Sequence, residues 1–492
     1  MTPAVLANVV RVVLGICALL LAACAADPQS AAQTAAGPAA GVRAFTGGRT
    51  RVVWVQGDGT DPQATGLNLV LMGIDTDDAR GERVILGKRR SYVKPLITRK
   101  GDRIVFSTRP DPGPPEVFVV NWDGSGLTRL ASGFALAVWQ DPGDGREWIY
   151  VGTDNGSEKY DFATVSRIRL DDPGVREMVW NRTTVSSDTF QVSADGRLAA
   201  GLFPWPDVGV AELPNKSWRK LGEGCWTSLT DAGGRLFWYF DGAHKNLTLI
   251  DLASDRRWVV PIHTVPGFRN AEVYHPRWSN HPRFMVMSGP YTLGAPGTNQ
   301  VRAGGAQSEV YVGRFSADYR KIEAWARVTH NSGGDSYPDV WIDRDRSPYP
   351  TRPAGPVGPP SPTGSKTPTP GATPAQAAVS TPAIARMVIE ARLVTPGPIP
   401  SPQAIAPYRR ALSAGVYEVV TVVEGAYAAT QILVAHWTIR DGRVLADARR
   451  TIGTVYRLTL ERYNAHPELE GERLMTDRDA PDLPLYYEIR NP

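Results

Sequence analysis

The sequence predicts an all-β protein: a six-bladed β-propeller, then a Pro-rich linker and a small β-barrel domain. Three observations carry this. Between Arg51 and about Asp345, short runs rich in Val, Ile, Phe, Trp and Tyr alternate with Gly, Asp, Asn and Pro clusters, with turns roughly every eight to twelve residues. A repeat of roughly 40 residues runs through this region, which is the period of propeller blades. Fifteen prolines between Pro348 and Pro402 then separate it from a last region with five strand-like runs.

The N-terminus comes first in chain order. Arg11 is the only charge in the first 26 residues, and Val12 to Leu21 is a ten-residue apolar run. That run is too short to span a bilayer and suits a signal-peptide core. It ends in Leu21-Ala22-Ala23-Cys24. This stretch resembles the lipobox of bacterial lipoproteins. The resemblance implies a signal peptide over residues 1–23 and lipidation of Cys24, which anchors the chain to a membrane through lipid. Ala25 stands where an inner-membrane retention signal would place Asp. The expected location is therefore the cell envelope, on the outer membrane facing the periplasm in a two-membrane organism. Residues 24–47, rich in Ala, Gly and Gln, read as a disordered tether.

Residues 48–346 carry the repeat. Its best copy joins Ile97–Thr108 (ITRKGDRIVFST) to Glu116–Ala131 (EVFVVNWDGSGLTRLA). The first half is a hairpin around Lys100-Gly101-Asp102. The second is a strand, an Asp123-Gly124 turn and an outer strand, because Asp-Gly supplies the positive φ angles of tight hairpins. Weaker copies begin at Val192, Thr230 and Arg277, and Phe134 to Trp180 forms another with longer loops. These repeats resemble those of TolB-type, WD-repeat-like propellers, whose blades read approximately S-P-D-G-x-x-I-x-F followed by I-Y-x-x-D-x-D-G. YPDVWI (Tyr337 to Ile342) is left over as an innermost strand, while Arg51 to Gly87 lacks one. The late strand is expected to complete the first blade and lock the ring, leaving no exposed sheet edge.

Residues 347–383 read as a semi-rigid Pro/Thr/Ala-rich spacer. Residues 384–492 hold the five strand-like runs, beginning near Met387, Val416, Gln431, Thr454 and Leu485. Five strands in about 100 residues suit a small barrel, by analogy an OB-like one.

Composition excludes several functions. The net charge is +4 over 492 residues, with no basic cluster of nucleic-acid-binding density. Of three cysteines, Cys17 leaves with the signal and Cys24 takes lipid. Cys225 stands alone and reads as a small buried hydrophobe, so disulfides and thiolate clusters are excluded within one chain. No G-x-S-x-G, G-x-x-x-x-G-K-[ST] or H-E-x-x-H occurs.

The most informative polar stretch is His275-Pro276-Arg277-Trp278-Ser279-Asn280-His281, grouped with His330, Asn331 and Asp335. Both segments lead into innermost strands, so they are candidates for a ligand-binding channel rim. His275, His281 and His330 on one rim are candidate ligands of a divalent cation. HPRWSNHPRFMVMSGP also resembles a stretch of oligogalacturonate lyases, metal-binding propellers; the resemblance implies a metal-ligand role for His275. The bland alternative is hydrogen-bonded rim residues. Phe203-Pro204-Trp205-Pro206 reads as a loop-tip sugar platform or an inter-blade plug. The expected function is binding or scaffolding of an envelope protein or cell-wall glycan, without catalysis or cofactor. The alternative is a metal-dependent uronate-polymer lyase with Arg277 on the substrate carboxylate.

Overall fold

The computed structural model describes residues 37–58, 64, 66–109, 113–155, 161–187, 189–230, 236–268, 271–291, 308–349, 385–406, 408–477 and 483–489. The signal peptide, Cys24, residues 350–383 of the spacer and residue 384 lie outside them.

Six four-stranded antiparallel blades follow the repeat. Blade 1 takes β1 (Thr50–Gly57), β2 (Leu69–Asp75) and β3 (Arg83–Arg90), with β25 (Gly334–Ile342) innermost. Blade 2 is β4 (Val93–Ile97), β5 (Arg103–Thr108), β6 (Glu116–Asn121) and β7 (Thr128–Ser132). Blade 3 is β8 (Phe134–Gln140), β9 (Glu147–Asn155), β10 (Asp161–Arg169) and β11 (Arg176–Trp180), with the short β12 (Val185–Ser186) beside β10. Blade 4 is β13 (Phe190–Val192), β14 (Leu198–Leu202), β15 (Asp207–Glu212) and β16 (Trp218–Glu223). Blade 5 is β17 (Cys225–Leu229), β18 (Leu236–Phe240), β19 (Asn246–Asp251) and β20 (Arg256–Pro261). Blade 6 is β21 (Glu272–Trp278), β22 (Phe284–Tyr291), β23 (Glu309–Phe315) and β24 (Ile322–Arg327).

The innermost strands touch in the cyclic order β25, β4, β8, β13, β17, β21 and back to β25. The ring therefore closes as the leftover strand implies: β25 pairs with β1 from Thr50↔Ile342 to Gly57↔Gly334. Blades pack face to face, so inner strands are apolar on both sides. In β18 all five residues, LFWYF, are buried. Outer strands face water, and β3 is mostly exposed. Antiparallel pairing puts the starts of the innermost strands at one end of the channel, the entry end, and their last residues at the exit end.

One correction falls before the ring. Pro38–Thr46, placed by the sequence in a disordered tether, is a helix, α1, opened by proline and closed by left-handed Gly47. Val42 and Thr46 are buried, and Phe45 stacks edge-on to Phe284 at the exit end. α1 lays one face, Ala39, Val42, Phe45 and Thr46, on blades 1 and 6.

The C-terminal domain contains seven strands among its described residues: β26 (Met387–Thr395), β27 (Ala411–Glu424), β28 (Gln431–Arg440), β29 (Arg443–Val444), β30 (Val455–Arg462), β31 (Arg473–Thr476) and β32 (Leu485–Glu488). Five close a barrel in the ring order β26-β27-β28-β32-β30, with β28 and β32 parallel. That is the connectivity of an OB-type barrel. The short β29 and β31 escaped the sequence reading.

The barrel sits on the entry end of blades 4 to 6. Ile405, Tyr408 and Ile439 join the core of blades 5 and 6. Gly242, in the β18–β19 turn, donates its N–H to the Glu470 carbonyl and accepts from the Leu474 N–H. The Arg473 guanidinium, fully buried, bonds both Glu272 carboxylate oxygens at 2.7 and 2.8 Å and the Gly242 carbonyl at 3.0 Å. Glu272 also meets His244 Nδ1 at 3.2 Å, His244 Nε2 meets Tyr408 Oη at 3.1 Å, and Tyr408 Oη meets Cys225 Sγ at 2.9 Å. Cys225 is buried, as its sequence context suggests, but it is an interdomain contact rather than filler. Trp205 likewise packs edge-on to Tyr408 at 5.2 Å. Its loop is the inter-blade plug of the two readings: Phe203 is buried in the core of blades 3 and 4, and Trp205 packs against that of blades 4 and 5 while supporting the barrel.

Candidate functional site

The channel is shaped by a defect repeated around the ring. Four innermost strands carry a left-handed non-glycine residue near their start: Lys94 (φ 51), Trp226 (φ 37), His275 (φ 52) and Tyr337 (φ 51). Non-glycine residues avoid this region, so each marks a local cost that the surroundings sustain. At each the ladder register shifts. A bulge of this kind re-aims a side chain. The three that carry rings meet: His275 to Tyr337 at 4.0 Å, Trp226 to His275 at 5.1 Å and Trp226 to Tyr337 at 6.0 Å. Lys94, on blade 2, reaches the Ser187 carbonyl before blade 4 at 2.9 Å. Side chains from blades 2, 5, 6 and 1 thus plug the entry end.

His275 is buried within this plug. Its Nδ1 accepts the Tyr337 N–H at 3.3 Å and lies 3.0 Å from Ser288 Oγ and 3.3 Å from Tyr291 Oη. An accepting Nδ1 leaves the proton of the neutral ring on Nε2.

The three histidines do not converge. His281 follows β21, at the exit end, where Nε2 contacts the Tyr349 carbonyl at 3.3 Å and Nδ1 accepts the Arg283 N–H. Burial, against the Tyr349 bond, pushes its pKa down to about 4. His330 lies on the β24–β25 crossover, its N–H donating to Glu82. Burial and then Arg327 lower its pKa. His275 lies within β21 and His281 in the turn beyond its end at Trp278, and they contact opposite ends of β22: Ser288 and Tyr291 for His275, Arg283 and Phe284 for His281. The described residues contain no group of three or more His, Cys, Asp or Glu able to hold a metal ion. The one-rim cation site therefore does not form; the hydrogen-bonded alternative describes these histidines.

The other candidates also divide between the two ends. Asn331 Nδ2 donates to Glu82 at 2.7 Å and to Asp335 at 2.9 Å, and Gln56 Nε2 donates to Asp335 at 3.0 Å. This clip fastens the closing strand. Burial raises the Asp335 pKa to about 7, despite the bonds from Gln56 and Asn331. A carboxyl whose folded pKa exceeds its ordinary 3.8 favours folding below that value and loses the contribution as pH rises through 7. Asp335→Asn is expected to leave the thermal midpoint unchanged near pH 4 and to raise it relative to wild type at pH 7–8. A parallel wild-type and variant profile across that window would exclude the effect.

At the exit end Asn280 exchanges two hydrogen bonds of 2.8 Å with the Ile342 backbone, tying blade 6 to the closing strand. Beside it, Arg99, Arg277, Trp278, Gln191 and Asp339 line a cavity of about 30 Å³, the share of one water molecule. Arg277 Nε pairs with Asp339 at 3.1 Å, and Asp339 accepts the Ile97 N–H at 2.7 Å. Burial lowers the pKa of Arg277 and Arg99, with Asp339 opposing, and raises that of Asp339 against Arg277. Arg344 bonds the Asn280 carbonyl. Burial and then Arg99 bring its pKa down to about 10. Two guanidiniums, Arg277 and Arg99, thus face the buried Asp339, and Arg344 lies beside Arg99 with Asp345 opposing. Of these, sequence reading found Arg277 alone; Arg99 and Arg344 follow the ends of innermost strands β4 and β25 and look like solvated turn residues.

No protein-family model matches the sequence, and no curated protein matches it. Among solved structures, the chain is similar to TolB from Acinetobacter baumannii: 13% identity, TM-score 0.41, covering 61% of this chain and 69% of that one. It is similar to a chain of a nidogen/laminin complex, with 9% identity, TM-score 0.38 and coverage of 59% and 98%. It is also similar to an oligogalacturonate lyase in complex with manganese, with 12% identity, TM-score 0.32 and coverage of 57% and 74%.

Proposed function

We propose that this chain is a lipid-anchored envelope lipoprotein that binds or scaffolds another envelope protein, without catalysis, through the exit mouth of its propeller. The observation that carries the reading is the cluster of guanidiniums there: Arg277 paired with Asp339, Arg99 between Asp339 and Glu147, and Arg344 beside Arg99 and Asp345. Guanidiniums in a partly dry site favour an incoming carboxylate, which they hold with charge-assisted bonds. The cavity of about 30 Å³ has no room for a sugar ring, which favours an acidic side chain pairing at the rim of the mouth over a glycan. The uronate-lyase alternative loses its support, since its metal ligands sit apart and the entry end is plugged.

Arg99→Gln combined with Arg344→Gln tests this while leaving Arg277 to neutralise Asp339. Acidic peptides are expected to bind wild type in a salt-sensitive way and the double variant at least about tenfold more weakly, near 1.4 kcal/mol. Equal binding of both proteins, or salt-independent binding, would overturn the reading. Cys24→Ser is expected to move the protein from the membrane to the soluble fraction.

A further inference from the structure

A second cavity lies in the C-terminal barrel, away from the propeller. It has about 330 Å³ of open space, lined by Leu393, Pro396, Ile399, Tyr417, His436 and Arg449, with Arg450 behind. That volume is within the range of small-molecule sites, which favour barrel mouths. At about 30 Å³ per water-sized group, it holds on the order of ten heavy atoms.

The lining has a clear polarity. Leu393, Pro396 and Ile399 form an apolar wall. Arg450 is already neutralised: it bonds Glu488 at 2.5 Å and Tyr417 Oη at 2.9 Å. His436 Nε2 meets the Ala448 carbonyl at 3.2 Å. Arg449 is exposed at the rim, and no carboxylate among the described residues pairs with it. The site therefore carries one uncompensated positive charge above an apolar floor. The segment around β31 and the later part of the loop before β27, at Ile405 and Tyr408, dock on the propeller. The first part of that loop, Pro396 to Ile399, lines the open mouth.

We propose that this pocket binds a small molecule carrying one carboxylate on an apolar body, with Arg449 holding the carboxylate and Leu393, Pro396 and Ile399 the body. The occupant is free to diffuse, unlike the protein partner at the propeller mouth.

Calorimetric titration of the whole chain with phenylbutyrate and its neutral amide tests this. The acid is expected to bind at least about tenfold more tightly than the amide. Arg449→Ala should bring acid binding to the amide level and leave the thermal midpoint unchanged, since Arg449 is exposed; Arg449→Lys should retain most of it. Ile399→Trp, which fills the pocket, should abolish binding of both. The Arg99/Arg344 double variant should bind both as wild type does, which separates this site from the propeller mouth. Equal binding of acid and amide, acid binding unaffected by Arg449→Ala, survival of binding in Ile399→Trp, or no saturable binding below about 10 mM would each overturn the proposal.

Discussion

Arg473→Ala is expected to cost about 3–5 kcal/mol and to release the C-terminal barrel from the propeller. Its side chain is fully buried, and Glu272 lies on the other side of the domain boundary. Removing the guanidinium leaves Glu272 in a dry interface with only His244 beside it. Thermal unfolding should split into two transitions, and proteolysis should reach the loop around Tyr408. Arg473→Lys should rescue little, because one ammonium cannot serve the carboxylate and the Gly242 carbonyl in the same fork geometry. Gly242→Ala supplies an independent disruption, since a Cβ there would collide with the Glu472 carbonyl. A single transition within about 0.5 kcal/mol of wild type in both variants would mean that the interface is not a latch.

The same latch has a direction in pH. Burial opposes the Glu272 charge, but Arg473 and then His244 outweigh it and hold its pKa at about 2, below the usual 4.5. A depressed carboxyl contributes its stability above 4.5 and loses it as pH falls towards 2. Docking should weaken in acid, opposite in sign to the Asp335 clip.

The blades were legible because their information is local. Left-handed Gly101, Gly124 and Gly196 close their hairpins, and Asp-Gly or Lys-Gly pairs announce them. Ring closure was legible because β25 is a strand without a blade. The site was less so, since position along an innermost strand decides which end a side chain serves. Six residues carry His275 and His281 to opposite ends, although in sequence they form one motif. The bulges at Lys94, Trp226, His275 and Tyr337 have no sequence signal, because none is glycine. Arg473 was hidden for a different reason. Glu-Gly-Glu-Arg reads as a solvated turn, and only the docked propeller makes it the centre of an interface.

Val340→Asp is expected to destabilise the propeller by at least about 4 kcal/mol, the largest effect of any single change in the closing strand. Val340 packs with Val52, Val286, Val312 and Ile342 between blades 1 and 6. Arg277, on the neighbouring β21, is already committed to Asp339. An ionised carboxylate there meets no free partner among these neighbours, and a protonated one still carries a buried hydroxyl. The comparison that isolates closure is Val84→Asp, on outer strand β3 of the same blade, where the side chain is 52% exposed. That change should stay within about 0.5 kcal/mol. The two variants add the same charge to one sheet and differ only in radial position. If closure holds the ring, Val340→Asp should lower the midpoint and make β1 and β25 accessible to hydrogen exchange together, while Val84→Asp leaves both protected. Equal effects would place the stability of the ring in its individual blades rather than in the strand that joins its ends.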